Sequence, residues 1–117
     1  MILVRDIFQL KFGKARDAMN LWNEMLPLMS GSGHTPDRLL TDLTGQYYTL
    51  IMESTFENLA EYEMAFSDTV VSDEWRKSYM KFTELVDSGR REIFTIVPVG
   101  ERERVESRAT AKVGAAK

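Results

Sequence analysis

An α+β fold of the ferredoxin-like kind, with element order β-α-β-β-α-β, is predicted by three features of this 117-residue chain. The runs 38–44 and 46–54 are rich in β-branched, aromatic and aliphatic residues. They meet at Gly45, which can take the positive φ that a hairpin turn demands. One strand-like and one helix-like segment precede this hairpin, and helical segments with one more strand follow it. The expected product is a four-stranded antiparallel sheet, with the hairpin at its centre and the helices on one face.

Residues 2–12 alternate as a strand does. Val4, Phe8 and Leu10 share one side with Asp6, while Leu3 and Ile7 share the other with Arg5 and Gln9. Neither side is purely apolar, which is the pattern of a first or edge strand, or of one lining a partly polar cavity. Gly13 and Lys14 then open a helix whose positions Ala15, Ala18, Met19, Trp22, Met25, Leu26 and Met29 follow a three-four spacing. Leu21 and Leu28 widen that stripe. Pro27 removes a backbone donor, so the helix is expected to kink or end between Glu24 and Leu28. The glycine-containing loop 30–36 leads to the hairpin.

Ser54-Thr-Phe-Glu57 fits a capping box that starts a helix through Phe56, Leu59, Ala60, Glu63 and Phe66. A break at Asp68–Ser72 is followed by a second start at Ser72 or Asp73, then by Trp75, Tyr79, Phe82 and Val86 on one face. Ser88-Gly89 supplies the helix stop. Arg90–Val97 is the last strand, ended by Pro98. Residues 1–98 thus form one ferredoxin-like domain. Residues 99–117 are a charged, then alanine-rich tail without apolar period, expected to be disordered or to serve as an accessory arm at a subunit interface.

Length allows a single core. The 44% apolar and 28% charged fractions are those of an ordinary globular protein. With no cysteine there is neither a disulfide framework nor a thiolate metal site, and a reducing cytoplasm is compatible. No signal peptide or membrane span is read in the sequence. The net charge is −3. After Pro98, Arg102, Arg104, Arg108, Lys112 and Lys117 face Glu101, Glu103 and Glu106, giving +2 and leaving −5 for the rest. An acidic body has no footprint for a phosphate backbone, so nucleic acid is not an expected partner.

A sheet with both helices on one side leaves its other face uncovered. That face would carry either Tyr47, Thr49, Ile51 and Glu53, or Tyr48, Leu50 and Met52, with alternate residues of the last strand. So large an apolar patch is unusual for a monomer, and a two-fold homodimer with facing sheets is expected.

Trp22, Gly33-His34-Thr-Pro36, Leu40-Thr-Asp-Leu-Thr-Gly45, Glu53-Ser54, Leu59-Ala-Glu61-Tyr62, Trp75 and Gly89-Arg-Arg-Glu-Ile93 together resemble bacterial proteins of the NIPSNAP type. The resemblance spans residues 2–97. It implies membership of the dimeric α/β-barrel superfamily, which also holds antibiotic-biosynthesis monooxygenases and haem-degrading monooxygenases. The NIPSNAP type itself implies no particular activity. The haem-degrading relatives use a first-strand asparagine and a histidine from the second helix region. Residues 2–12 contain no asparagine and no histidine follows His34, which weighs against haem degradation.

Residue by residue, the chemistry is sparse. His34 is the only histidine, so one subunit has no multi-histidine metal site, and no Asp-x-Asp-x-Asp loop offers a hard-cation site. No metal and no cofactor is expected. His34 is either a general base or a loop residue bonded locally. Trp22 is flanked by Asn20 and Asn23, of which at most one can share its face; Trp22 and Trp75 are core residues or site residues like those of the cofactor-free monooxygenases. Asp6, Asp42 and Glu53 stand on predicted strands. A carboxylate there is desolvated unless Arg5, Arg38 or Arg91 answers it, in which case it fixes register or a dimer seam. Tyr47 and Tyr48, being adjacent, face opposite sides. The methionines, among them Met19, Met25, Met29, Met52, Met64 and Met80, are adaptable fillers of a core or a cavity. No phosphate-cradling loop or nucleophile elbow is present.

Two functions are consistent with these residues. The first is a dimeric small-molecule-binding or interaction module, taking a small apolar or aromatic ligand between sheet and helices against Phe8, Trp22, His34, Tyr47, Tyr48, Ile51 and Phe94. The second is a cofactor-free monooxygenase or isomerase for an aromatic or polyketide-like substrate, with His34 or a strand carboxylate such as Asp42 taking the proton.

Overall fold

The computed structural model describes residues 1–29, 35–67 and 73–100, with the side chains of Phe66 and Ser67 excepted. The expectations for His34, for the break at 68–72 and for the tail beyond residue 100 fall outside those residues. The elements run β1 (Ile2–Leu10), α1 (Ala15–Met29), β2 (Arg38–Thr41), β3 (Thr49–Phe56), α2 (Leu59–Ser67), α3 (Asp73–Thr83) and β4 (Val86–Thr95). The sheet is antiparallel in the order β2-β3-β1-β4. This is the ferredoxin-like α+β arrangement, with the second helical segment in two pieces.

β1 pairs with both β3 and β4 along almost its whole length, Asp6 lying between Met52 and Arg91 and Ile7 between Ile51 and Arg90. Alternation therefore sorts the two faces. Val4, Phe8, Leu10, Leu50, Met52 and Phe56 lie on the helix side. Leu10, Leu50 and Met52 join Ala18, Trp22 and Met25 of α1 and Phe82 of α3 in the core. Each large side chain buried there stabilises the fold by about 1.5–3 kcal/mol. Edge-to-face rings fix the layer spacing: Phe82 meets Phe8 at 5.1 Å and Trp22 at 5.3 Å.

Several local expectations are corrected. The hairpin is not central, because β2 is an edge strand. Strand pairing stops at Thr41–Leu50, so Tyr47 and Tyr48 belong to the loop rather than to β3. Polar groups hold this wide loop: the Asp42 carboxylate accepts the Thr49 N–H at 3.0 Å, and the Tyr48 carbonyl accepts the Leu10 N–H at 2.8 Å. Tyr48 reaches that bond with φ at +60°, while Gly45 takes φ at +121°. The α1 helix, expected to kink or end between Glu24 and Leu28, does not end there but continues through Pro27 to Met29.

Ser54 is buried in β3 opposite Val4 and starts no helix. The cap lies four residues later, where Asn58 Oδ1 accepts the Glu61 N–H at 2.9 Å and Glu61 reaches back to the Glu57 N–H at 2.8 Å. Ser88-Gly89 is not a helix stop. α3 closes earlier, with the Leu85 N–H on the Phe82 carbonyl at 2.9 Å, and Gly89 lies in β4 opposite Phe8. A Cβ on Gly89 would stand 3.2 Å from Phe8 Cδ1, so the ring occupies the space a side chain would need.

The uncovered face carries Thr49, Ile51 and Glu53 of the two sets considered. It is mixed rather than broadly apolar. Arg38, Glu53, Arg5 and Glu92 form a row of alternating charge across all four strands. Glu53 takes Arg38 Nε at 2.5 Å and Arg5 Nε at 2.9 Å, the latter as an ion contact rather than an aligned hydrogen bond. The two arginine stems cover Glu53 to 4% exposure. Glu92 continues the row to Arg5 at 3.7 Å and to Arg90 at 3.4 Å.

Truncating Glu53 removes the carboxylate that Arg5 and Arg38 share and leaves Arg5 only its 3.7 Å contact with Glu92, whereas truncating the mostly exposed Arg38 leaves Glu53 with Arg5. Urea unfolding of Glu53→Ala is expected to show a loss of about 2–3 kcal/mol, against under about 1 kcal/mol for Arg38→Ala. Equal losses would show that the row does not act through Glu53.

Candidate functional site

Between the sheet and helices α1 and α3, a cavity of about 150 Å³ remains. Its floor is Val4, Asp6 and Phe8 of β1, Met52, Ser54 and Phe56 of β3, and Arg91 of β4. Trp22 and Met29 of α1, Trp75 and Tyr79 of α3, and Pro36 close the rest. Trp75 and Tyr79, one helical turn apart, stack at 5.0 Å with 11° between their planes. The wall is thus mostly aromatic and aliphatic, with a few polar groups set into it, the composition of a small-ligand site.

The charged part of the wall is one pair. Arg91 Nε donates to Asp6 Oδ1 at 2.5 Å across the β1–β4 pairing, the two residues being direct partners in register. The hydrogen bond to Asp6 raises the Arg91 pKa further above its already high value, opposed by desolvation. Arg91 also lies over the Tyr62 ring at 5.8 Å, and Tyr62 meets Phe56 edge-on at 5.3 Å. Burial pushes the Tyr62 phenol above its ordinary 10.0; Arg91 pulls it down, and Asp6 raises it. Among the side-chain atoms of this wall, the buried Trp22 Nε1 has no hydrogen-bond acceptor within the described residues.

The residues proposed from sequence do not gather in one place. Phe8 and Trp22 line this cavity. Ile51 and Phe94 lie on the opposite, helix-free face, because each differs by one position from the inward set. Asp42, Tyr47 and Tyr48 surround a separate open concavity by the β2–β3 loop, bordered by Ala15, Met19 and Leu43. His34 is outside the described residues. The Asp6–Arg91 pair was foreseeable from two charges at strand positions. Ser54, Trp75 and Tyr79 carry no signal that separates a cavity wall from a core position. No group of three or more His, Cys, Asp or Glu able to hold a metal occurs among the described residues.

The raised Tyr62 pKa has a direct consequence. Its phenol stabilises the fold fully below the unfolded value near 10, and that contribution is lost as pH climbs through the higher folded value. Ultraviolet titration is expected to show one tyrosine step displaced above pH 10 that Tyr62→Phe removes. An unchanged profile in the variant would place the displaced step elsewhere.

No protein-family model matches the chain, and no curated protein matches it by sequence. Solved structures do. A NIPSNAP-family protein of unknown function from Agrobacterium tumefaciens superposes with a TM-score of 0.75 at 11% identity, over 86% of this chain and 91% of that one. An uncharacterised NIPSNAP domain protein from Burkholderia xenovorans gives 0.72 at 9% identity, over 86% and 96%. A putative antibiotic biosynthesis monooxygenase from Nitrosomonas europaea gives 0.62 at 6% identity, over 84% and 100%. What these identities show is the fold: the chain has the ferredoxin-like α+β architecture of its structural neighbours, the bacterial NIPSNAP-family proteins.

Proposed function

We propose that this protein is a NIPSNAP-like small-molecule-binding module that takes one small, largely apolar molecule in the cavity between sheet and helices. The cavity itself carries this reading. About 150 Å³ of space lined by aromatic rings accommodates a single six-membered ring. Catalysis is less well supported. A cofactor-free oxygenase needs a proton acceptor facing the substrate, and the one carboxylate on this wall, Asp6, is engaged by Arg91 at 2.5 Å. Asp42 lines other concavities and is bonded to the Thr49 amide.

A ring-sized ligand present at 100 times its Kd is expected to raise the unfolding free energy by about 2.7 kcal/mol, read as a shift in thermal midpoint. Ser54→Leu, which fills the cavity from its floor, is expected to fold cooperatively and to abolish that shift. A shift that survives the substitution would place the ligand elsewhere.

The partner we propose is a second copy of the chain, docked through the helix-free face. Leu40, Ile51 and Phe94 lie around the alternating charge row there, and Phe94 is 47% exposed. A two-fold copy would cover these side chains and set its own alternating row against the first. Light scattering is expected to give twice the 13.5 kDa chain mass, and Ile51→Lys with Phe94→Glu to give a folded monomer. A monomeric parent protein would remove the dimer from the proposal. No helix among the described residues is long and apolar enough to cross a membrane; the cysteine-free composition fits a cytoplasmic location, and the acidic body fits a partner other than nucleic acid.

A further inference from the structure

The chemistry of the cavity wall narrows the ligand class, on the premise that the cavity is the binding site. Trp22 is 1% exposed and its indole N–H has no acceptor within the described residues. A buried donor in that state is costly and is ordinarily answered by some oxygen or nitrogen. Trp22 shares its buried core cluster with Leu10, Ala18, Met25, Leu50, Met52 and Phe82, whose side chains offer no such atom. The cavity that Trp22 lines offers space for one. Charge points the same way. Asp6 and Arg91 neutralise each other at 2.5 Å, so an ionised ligand would give up its hydration without meeting an unmatched opposite charge.

We infer that the ligand is a neutral, single-ring compound carrying a hydrogen-bond acceptor, such as an aryl ketone or aldehyde, and that the Trp22 indole N–H is the donor that orients it. The ring lies among Phe8, Trp75 and Tyr79, where aromatic contacts are available on several sides. The acceptor oxygen accepts from Trp22 Nε1. Trp22 is then a specificity-determining residue as well as a core residue.

The test uses the full chain labelled with ¹⁵N, whose two tryptophans give two indole N–H signals, assigned with Trp75→Phe. Acetophenone, ethylbenzene and benzoate are titrated separately into the parent protein and into Trp22→Phe. Acetophenone is expected to move the Trp22 indole signal to lower field, ethylbenzene to leave it close to its starting field, and benzoate to bind more weakly than acetophenone. The affinity ratio of acetophenone to ethylbenzene is expected to fall about 3–10-fold in Trp22→Phe, the worth of one hydrogen bond. Comparing ratios removes the difference in hydrophobicity between the probes. If both neutral probes bind but the Trp22 signal and the ratio do not respond, the donor assignment is wrong and the binding reading survives. Benzoate binding more tightly than acetophenone would overturn the neutral ligand class. If no probe binds, both the ligand class and the binding reading fall. Should Trp22→Phe not fold, the indole shift in the parent protein decides alone.

Discussion

The register of β1 is the constraint on which the rest of this molecule depends. Its two neighbours pair with it along nearly its entire length, so each β1 residue sets what stands beside it on both sides. Consecutive residues carry opposite obligations: Arg5 serves the uncovered face through Glu53 and Glu92, and Asp6 serves the helix face through Arg91. A slip of one residue would send both charges to the wrong side and turn Phe8 and Leu10 away from α1 and α3. Ion pairs of this kind contribute little net stability by themselves, because desolvation offsets attraction. Their effect here is selective, since the competing registers leave charges unanswered.

From that register the cavity follows as a geometric remainder. Trp22 and Phe82, meeting edge-on, hold α1 and α3 together over the Leu10–Leu50 end of the sheet. Toward the Val4–Phe56 end the covering residues are Met29, Trp75, Tyr79 and Pro36, and the layers do not close completely. The polar pair Asp6–Arg91 sits on the floor at this more open end, where a fully packed apolar core would have no place for it. Packing and polarity thus change together along one sheet face.

Much of the architecture was legible because period and punctuation agree. The three-four stripe from Ala15 to Met29 is the buried side of α1, and the alternation of residues 2–10 reads out β1 correctly, including its partly polar inner face. Failures fall where a tertiary contact overrides a local signal. Ser54-x-x-Glu57 has the letters of a cap, yet pairing with Val4 holds Ser54 in a strand while Asn58 caps the helix. Ser88-Gly89 reads as a stop, yet the end of β1 recruits it into β4. The site was harder to read for a different reason. Phe8 and Trp22 do line the cavity, but membership of a wall depends on how far two helices stand apart. That distance is a property of the assembled layers and leaves no trace in the periodicity of Trp75 or Tyr79. Tyr47 and Tyr48 were misplaced because the loop takes its shape from Gln9 and Leu10, thirty-eight residues away along the chain from Tyr47 and Tyr48 respectively.

Gly89 gives the cavity a remote adjustment. It lies on the exposed edge strand and lines no part of that wall, yet the missing side chain is what lets the Phe8 ring settle over β4. A single added methyl group would press on that ring, and Phe8 is itself a wall residue. Cavity dimensions can therefore be retuned from an exposed edge-strand residue outside the wall, leaving every chemical group of the wall unchanged. Such steric tuning from outside offers a route by which one layer arrangement can enclose cavities of different size.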